Sequence, residues 1–160
     1  MTNQSASSPA AGRFPTEEDI YCLMTALEDD PNGSNAILII LLITASGCTP
    51  SMLKALRWTE VDFRTGQLVL PKGAVPIDDR LRDLLLRRRS RHPNGKFVVG
   101  AFPARVLARA RQLITRTCRS LGLPVITLEE LRGVFQRRQS DVRLGQQVRL
   151  LKKDPRFRAA

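Results

Sequence analysis

Apolar residues first recur at helical spacing at Ile20, Leu23, Met24 and Leu27, three and four residues apart and therefore on one face of a helix. Thr16 followed three residues later by Asp19 is a capping box, so this helix is predicted from Glu17 to Asp29. The Asp-Pro-Asn-Gly turn at Asp30 to Gly33 stops it. From Asn35 to Ala45 the chain is apolar nearly all round, which predicts a helix at the centre of the core. After a tight turn at Gly47, Thr49 and Pro50 form an N-cap with proline at the first helical position. They open a short helix whose apolar face is Met52, Leu53 and Leu56. Trp58 ends that helix, and Val61, Asp62 and Phe63 lead towards extended chain. Gln67 to Leu70 and Ala74 to Ile77, joined by Pro71-Lys72-Gly73, read as the two strands of a small hairpin sheet.

Four more helices follow from the same pattern. Asp78 caps one with Leu81, Leu84 and Leu85 inside, and this helix runs out into Arg87, Arg88, Arg89 and Arg91 before the turn at His92 to Gly95. That cluster has two readings: cations suited to a helix C-terminus, or phosphate contacts. From Pro103 to Leu121, residues Val106, Leu107, Ala110, Leu113, Ile114 and Leu121 fall on one arc, and Arg105, Arg109, Arg116 and Arg119 on the other. Thr127 with Glu130 is a second capping box and starts a helix from Leu128 to about Gln139, with Leu128, Leu131, Val134 and Phe135 on its buried face. A separate last helix is predicted over Val142 to Leu151 from Leu144, Val148 and Leu151. The fold class expected is mostly α with a small antiparallel β-hairpin sheet (α+β). It forms one domain over residues 15–158, preceded by a tail over residues 1–14 too poor in apolar side chains to order itself.

Composition narrows the partner. The 160 residues hold 26 Lys and Arg against 15 Asp and Glu, a formal net charge of +11, and such an excess favours a polyanion, nucleic acid before a membrane surface. The arginine-bearing helix contains no acid, which points the same way. Cys22, Cys48 and Cys118 are odd in number and widely spaced, so they read as reduced core thiols of a cytoplasmic protein, with neither a disulfide framework nor a zinc site. The N-terminus lacks the pattern of a signal peptide, and the longest apolar run, Ala36 to Ala45, is too short to span a bilayer. A single histidine, His92, leaves no Ser-His-Asp set and no two-histidine metal site, and the glycines form no phosphate-cradling loop. No metal and no cofactor are expected.

Two stretches carry a family resemblance. Ser46 to Phe63, SGCTPSMLKALRWTEVDF, resembles the first conserved box of the tyrosine recombinase (phage integrase) catalytic domain, matching at Gly47, Leu53, Leu56, Arg57, Trp58, Val61 and Asp62. Ile126 to Phe135, ITLEELRGVF, resembles the second box, with Arg132 at its arginine and Leu131 and Phe135 at the apolar neighbours. The resemblance implies that the family's first catalytic arginine falls on Thr49, its histidine on Glu129 and its catalytic lysine on Lys72. LLKKDPRFR resembles the following segment, with Lys152 and Lys153 near its Gly-His positions and no tyrosine after them. The only tyrosine, Tyr21, stands in the first predicted helix. In that family a tyrosine hydroxyl attacks a DNA phosphodiester within a clamp of cations, so the chemistry needs both nucleophile and clamp.

The resemblance therefore implies the family's fold without its cleavage chemistry: a non-cleaving, integrase-like domain that binds double-stranded DNA through the backbone and serves recombination, integration or transcription as an accessory. No catalytic residue is assigned. The candidate DNA contacts are Arg132, Lys72, Arg137, Arg138, Arg143, Lys152 and Lys153 on the face around the family's arginine pocket, and Arg105, Arg109 and Arg116 on a second face. Arg132 has a structural alternative, an ion pair with Glu129 three residues away. Two other readings stand beside this one: a protein-interaction module docking on a partner such as an active recombinase, and a piece of a genuine site-specific recombinase.

Overall fold

The computed structural model describes residues 15–153 and 155–157. The expected tail over residues 1–14 lies outside them. Helix α1 (Glu17–Glu28) starts at the predicted capping box, with Asp19 N donating to Thr16 Oγ1 and Thr16 N to the Asp19 carboxylate, at 3.1 and 3.0 Å. Helix α2 (Gly33–Ser46) is the axis of the molecule. Ala36, Leu38, Ile39, Ile40, Leu42 and Ile43 are all buried, as an all-round apolar helix requires. It packs against α1, α4 (Asp79–Arg91), α5 (Pro103–Ser120) and α6 (Leu128–Lys153).

The short helix α3 (Pro50–Ala55) begins where Thr49 and Pro50 place it, with Met52 N donating to Thr49 Oγ1 at 3.2 Å. The sheet differs from the expected hairpin in two ways. It has three antiparallel strands in the order β1 (Val61–Asp62), β2 (Gln67–Leu70), β3 (Gly73–Pro76), so Val61 and Asp62 form an edge strand. Strand β3 starts one residue earlier than the apolar pattern suggests, because Leu70 pairs with Gly73 and leaves Pro71-Lys72 alone in the turn. Val61 opposite Leu68 and Leu68 opposite Val75 set the inner face in register.

A segment with no sequence expectation supplies part of the core. Val98 and Val99 are fully buried. The chain there runs antiparallel beside the first box, Trp58 N donating to Lys96 O and Val98 N to Leu56 O. Arg88 is what holds this segment. It donates from Nε to Val98 O at 2.7 Å, from Nη1 to Asn35 Oδ1 at 2.6 Å and from Nη2 to Val99 O, and burial lowers its pKa. The phosphate reading of Arg88 is thereby corrected: its half-buried guanidinium is tolerated because its donors are met by carbonyl oxygens. Its neighbour Arg89 lies over the Trp58 ring at 5.2 Å and donates to Gly95 O.

The largest departure is at the C-terminal end. The two predicted helices, 128–139 and 142–151, are one continuous helix, α6, and Leu144, Val148 and Leu151 are 58, 49 and 49 % exposed. Neither proline nor glycine stands between Gln139 and Val142. Ser140, which could have capped a new helix, instead donates back to Gln136 O at 3.1 Å within the old one. Two smaller corrections belong with it. Leu121 caps the end of α5 and is exposed rather than on its buried arc. Cys22 is exposed, whereas Cys48 and Cys118 are buried and burial raises their pKa.

Candidate nucleic-acid interface

The two boxes singled out in the sequence meet in space. Gly47 closes α2 in the left-handed conformation (φ 69°), and a Cβ on it would stand 2.5 Å from the Phe135 ring. Glycine is required here twice over, once by the backbone and once by the helix that lies against it. That close approach brings Arg132, one turn earlier on α6, to the same carbonyl: Arg132 Nε donates to Gly47 O at 3.0 Å. The first turn of α6 is fixed by its predicted capping box, Glu130 N donating to Thr127 Oγ1 and Thr127 N to the Glu130 carboxylate, both at 3.2 Å. Cap, glycine and ring together set the height and rotation of Arg132.

Beside this junction lies a cavity of about 270 Å³, formed by the end of α2 (Ser46, Gly47), Met52, the β2–β3 turn (Leu70, Lys72, Gly73, Ala74, Val75) and α6 (Arg132, Phe135, Gln136). No acidic residue lines it. Lys72 in the turn and Arg132 on α6 are its two cations, brought together from positions 60 residues apart in sequence. Thr49 does not line it, since its hydroxyl is engaged as the α3 cap. Glu129 is not among the lining residues, and a carboxylate oxygen of it lies 3.4 Å from Arg132 Nη1. The ion pair and the cavity-facing position of Arg132 therefore coexist: the guanidinium is part-buried between them. Tyr21, 70 % exposed on α1, lines a different groove of about 690 Å³ that shares only Phe135 with this cavity.

The other candidate contacts separate into three groups. Arg137 and Arg138, expected beside Arg132, reach across to the start of α1. Arg137 Nη2 donates to Pro15 O, and Arg138 donates from Nε and Nη2 to the two carboxylate oxygens of Glu17 at 2.8 and 2.7 Å. This forked pair holds the Glu17 carboxyl below its ordinary pKa and raises that of Arg138. Arg143, Lys152 and Lys153 lie beyond them on the exposed run of α6. Arg105, Arg109 and Arg116 are exposed on α5, away from the cavity. Arg105 lies over the Phe102 ring at 5.3 Å, and Arg116 is 3.8 Å from the Asp30 carboxylate. Sequence reasoning missed Gln136 as a lining residue; its place one turn after Arg132 was the available signal.

Among the described residues no helix is long and apolar enough to cross a membrane, and no three His, Cys, Asp or Glu side chains group as a metal site. The site's chemistry is that of a small cationic recess: donors on a turn and a helix, suited to an oxyanion, with no tyrosine among its lining residues.

No family model matches the chain, and no curated protein is similar to it in sequence. Among solved structures, the chain is similar to the crystal structure of XerA recombinase, with a TM-score of 0.64 and 16 % sequence identity over 94 % of this chain. It spans about half of that protein, 55 % of its length. The likeness is one of fold: a mostly helical domain with a three-stranded antiparallel sheet, similar to a recombinase catalytic domain and carried by a very different sequence.

Proposed function

We propose that this domain binds duplex DNA through the phosphate backbone at the Lys72–Arg132 recess and does not itself cleave it, acting as an accessory of recombination, integration or transcription. The observation that carries the reading is the convergence of Lys72 and Arg132 on one cavity without an acidic lining residue, in a fold similar to that of a recombinase. Phosphate contacts from such cations position a protein on DNA without reading its sequence. The net charge of +11 supplies the long-range attraction. The non-cleaving part is supported by Thr49, whose hydroxyl is held as a helix cap, by the Glu129 carboxylate beside Arg132, and by Tyr21 on a separate groove. An attacking tyrosine in this recess would need at least its own position among the lining residues, and a second cation where Thr49 stands.

Titration of a fluorescent duplex at several salt concentrations tests the binding. Lys72→Ala is expected to lower the slope of log K against log salt by ~0.9, uniformly across duplex sequences. Absence of salt-dependent duplex binding refutes the proposal. For the chemistry, incubation with nicked suicide duplexes followed by denaturing gels is expected to give no shifted band. A band abolished by Tyr21→Phe would show that the chain cleaves after all.

A protein-interaction reading has one observation in its favour, the exposed Leu144, Val148 and Leu151 on the free run of α6. Failure of the duplex titration would leave that surface as the stronger lead.

A further inference from the structure

From Gln136 to Lys153 every residue of α6 is exposed, and after Gln139, which still lines the Tyr21 groove, roughly 21 Å of helix extends beyond the packed body. Its polar residues are unevenly distributed. Gln136, Gln139, Arg143, Gln146 and Gln147 fall within an arc of about 100° at ~100° per residue, and the only acid of the run, Asp141, lies opposite. Four of the seven glutamines in the chain stand on this one arc. Among the described residues none of the five side chains has a hydrogen-bond partner. Arg132 falls on the same arc one turn before Gln136, so the arc continues directly from the cationic recess.

An ordinary solvated helix face mixes Lys and Glu, whereas this one presents four amides that each offer a donor and an acceptor around the Arg143 guanidinium, with Leu150 as its apolar member. That is the complement of base edges in the major groove: an amide pairs in two-point fashion with adenine and a guanidinium with guanine. The helix, about 10–12 Å across with its side chains, matches a groove about 12 Å wide. Arg149 and Lys153, on the flank of the arc in the same free run, supply charge for the flanking phosphates. Resting on the DNA-binding reading above and extending it, we propose that the free run of α6 enters the major groove and reads sequence through Gln136, Gln139, Arg143 and Gln146, while Lys72 and Arg132 hold the backbone.

Selection from a pool of duplexes with a randomised centre tests this with the full chain. The chain is expected to enrich a motif, and Gln139→Ala, Gln146→Ala or Arg143→Gln to relax single positions of it, each costing roughly 5- to 150-fold for the preferred base. The two glutamine variants remove no charge and are expected to leave the salt slope unchanged, whereas Lys72→Ala lowers the slope and leaves the motif intact. Because all three α6 positions are exposed, thermal melts are expected to match the parent protein. Salt-dependent binding without any enriched motif, or a motif indifferent to these variants, overturns the base-reading role and leaves backbone binding standing. A motif lost only with Leu144→Ser/Val148→Ser assigns the helix to docking of a protein or a second copy instead. No duplex binding at any salt concentration overturns both readings.

Discussion

The two halves of α6 are one helix in two environments. Its first two turns bury Leu128, Leu131 and Val134 in the core, while every residue after Phe135 is exposed, with Arg137 and Arg138 reaching back to the start of α1, although this run too carries apolar residues at helical spacing. The difference lies in phase. At ~100° per residue the centre of the Leu128/Leu131/Val134 set and that of the Leu144/Val148/Leu151 set are roughly 130° apart, so a body that covers the first face cannot cover the second. Apolar spacing specifies a helix; only the angle between successive sets specifies whether the same core can receive both. The phase change also explains why the sequence reads as two helices, since a change of face is indistinguishable from a break until the backbone is seen to run through it.

Truncating a core residue in each half puts the contrast to its strongest test. Leu131→Ala empties a fully buried site and is expected to cost about 2–5 kcal/mol. Leu144→Ala and Leu151→Ala are expected to stay within about 0.5 kcal/mol of the parent. Urea unfolding measures all three, and a cost above 1 kcal/mol for either distal leucine would mean that the free run is packed against something in solution.

The two halves also use glycine differently. Gly47→Ala, at the clamp on the first half, forces a Cβ into the Phe135 ring and a side chain into the left-handed region, for an expected loss of about 2 kcal/mol or more. Gly145 has open space around it in the second half, so Gly145→Ala is expected to stabilise the helix locally by roughly 0.5–1 kcal/mol. Far-UV circular dichroism should register the gain as higher helicity with little movement of the melting midpoint. A midpoint rise comparable to the loss at Gly47 would couple the free run to the core and dissolve the distinction.

What could be read in advance follows the range of the forces involved. The caps at Thr16, Thr49, Asp78 and Thr127 were legible because each depends on residues three apart, and all four hydrogen bonds are made. The central helix was legible from its all-round apolar character. The edge strand β1 was not, because two residues carry no alternation. Nor were Val98 and Val99, whose burial depends on a guanidinium ten residues earlier. The cationic cluster at the end of α4 shows the limit most clearly. Arg88 and Arg87 are indistinguishable in sequence, yet the carbonyls that receive Arg88 come from a segment folded back against it. Spacing alone does not bring Lys72 to Arg132; the family resemblance, which matched Lys72 at the hairpin tip and Arg132 in the second box, did. The ties of Arg137 and Arg138 to Pro15 and Glu17 span more than 120 residues and leave no local trace.

Those last ties mark the boundary between the halves, and they provide the smallest and most discriminating prediction. Arg138 sits where α6 leaves the body, and its forked pair with Glu17 is the last intramolecular ion pair along the helix among the described residues. Both side chains are substantially exposed, so the pair is expected to contribute about 0.2–1 kcal/mol at neutral pH. The Glu17 carboxyl has a pKa below its ordinary value when folded, chiefly through the hydrogen bond from Arg138, so the unfolded chain binds more protons in the interval between the two values. Stability from the pair is therefore present above the ordinary carboxylate pKa and lost as the pH falls through the lower folded value. The gap in unfolding free energy between the parent protein and Glu17→Gln should be largest near neutrality and shrink on acidification. If the boundary is rigid, hydrogen exchange of the amides just after Arg138 should accelerate in Glu17→Gln while those of residues 128–134 stay protected. Equal acceleration on both sides would show the helix opening as one unit, and the contrast between its halves would then be one of exposure only, not of stability.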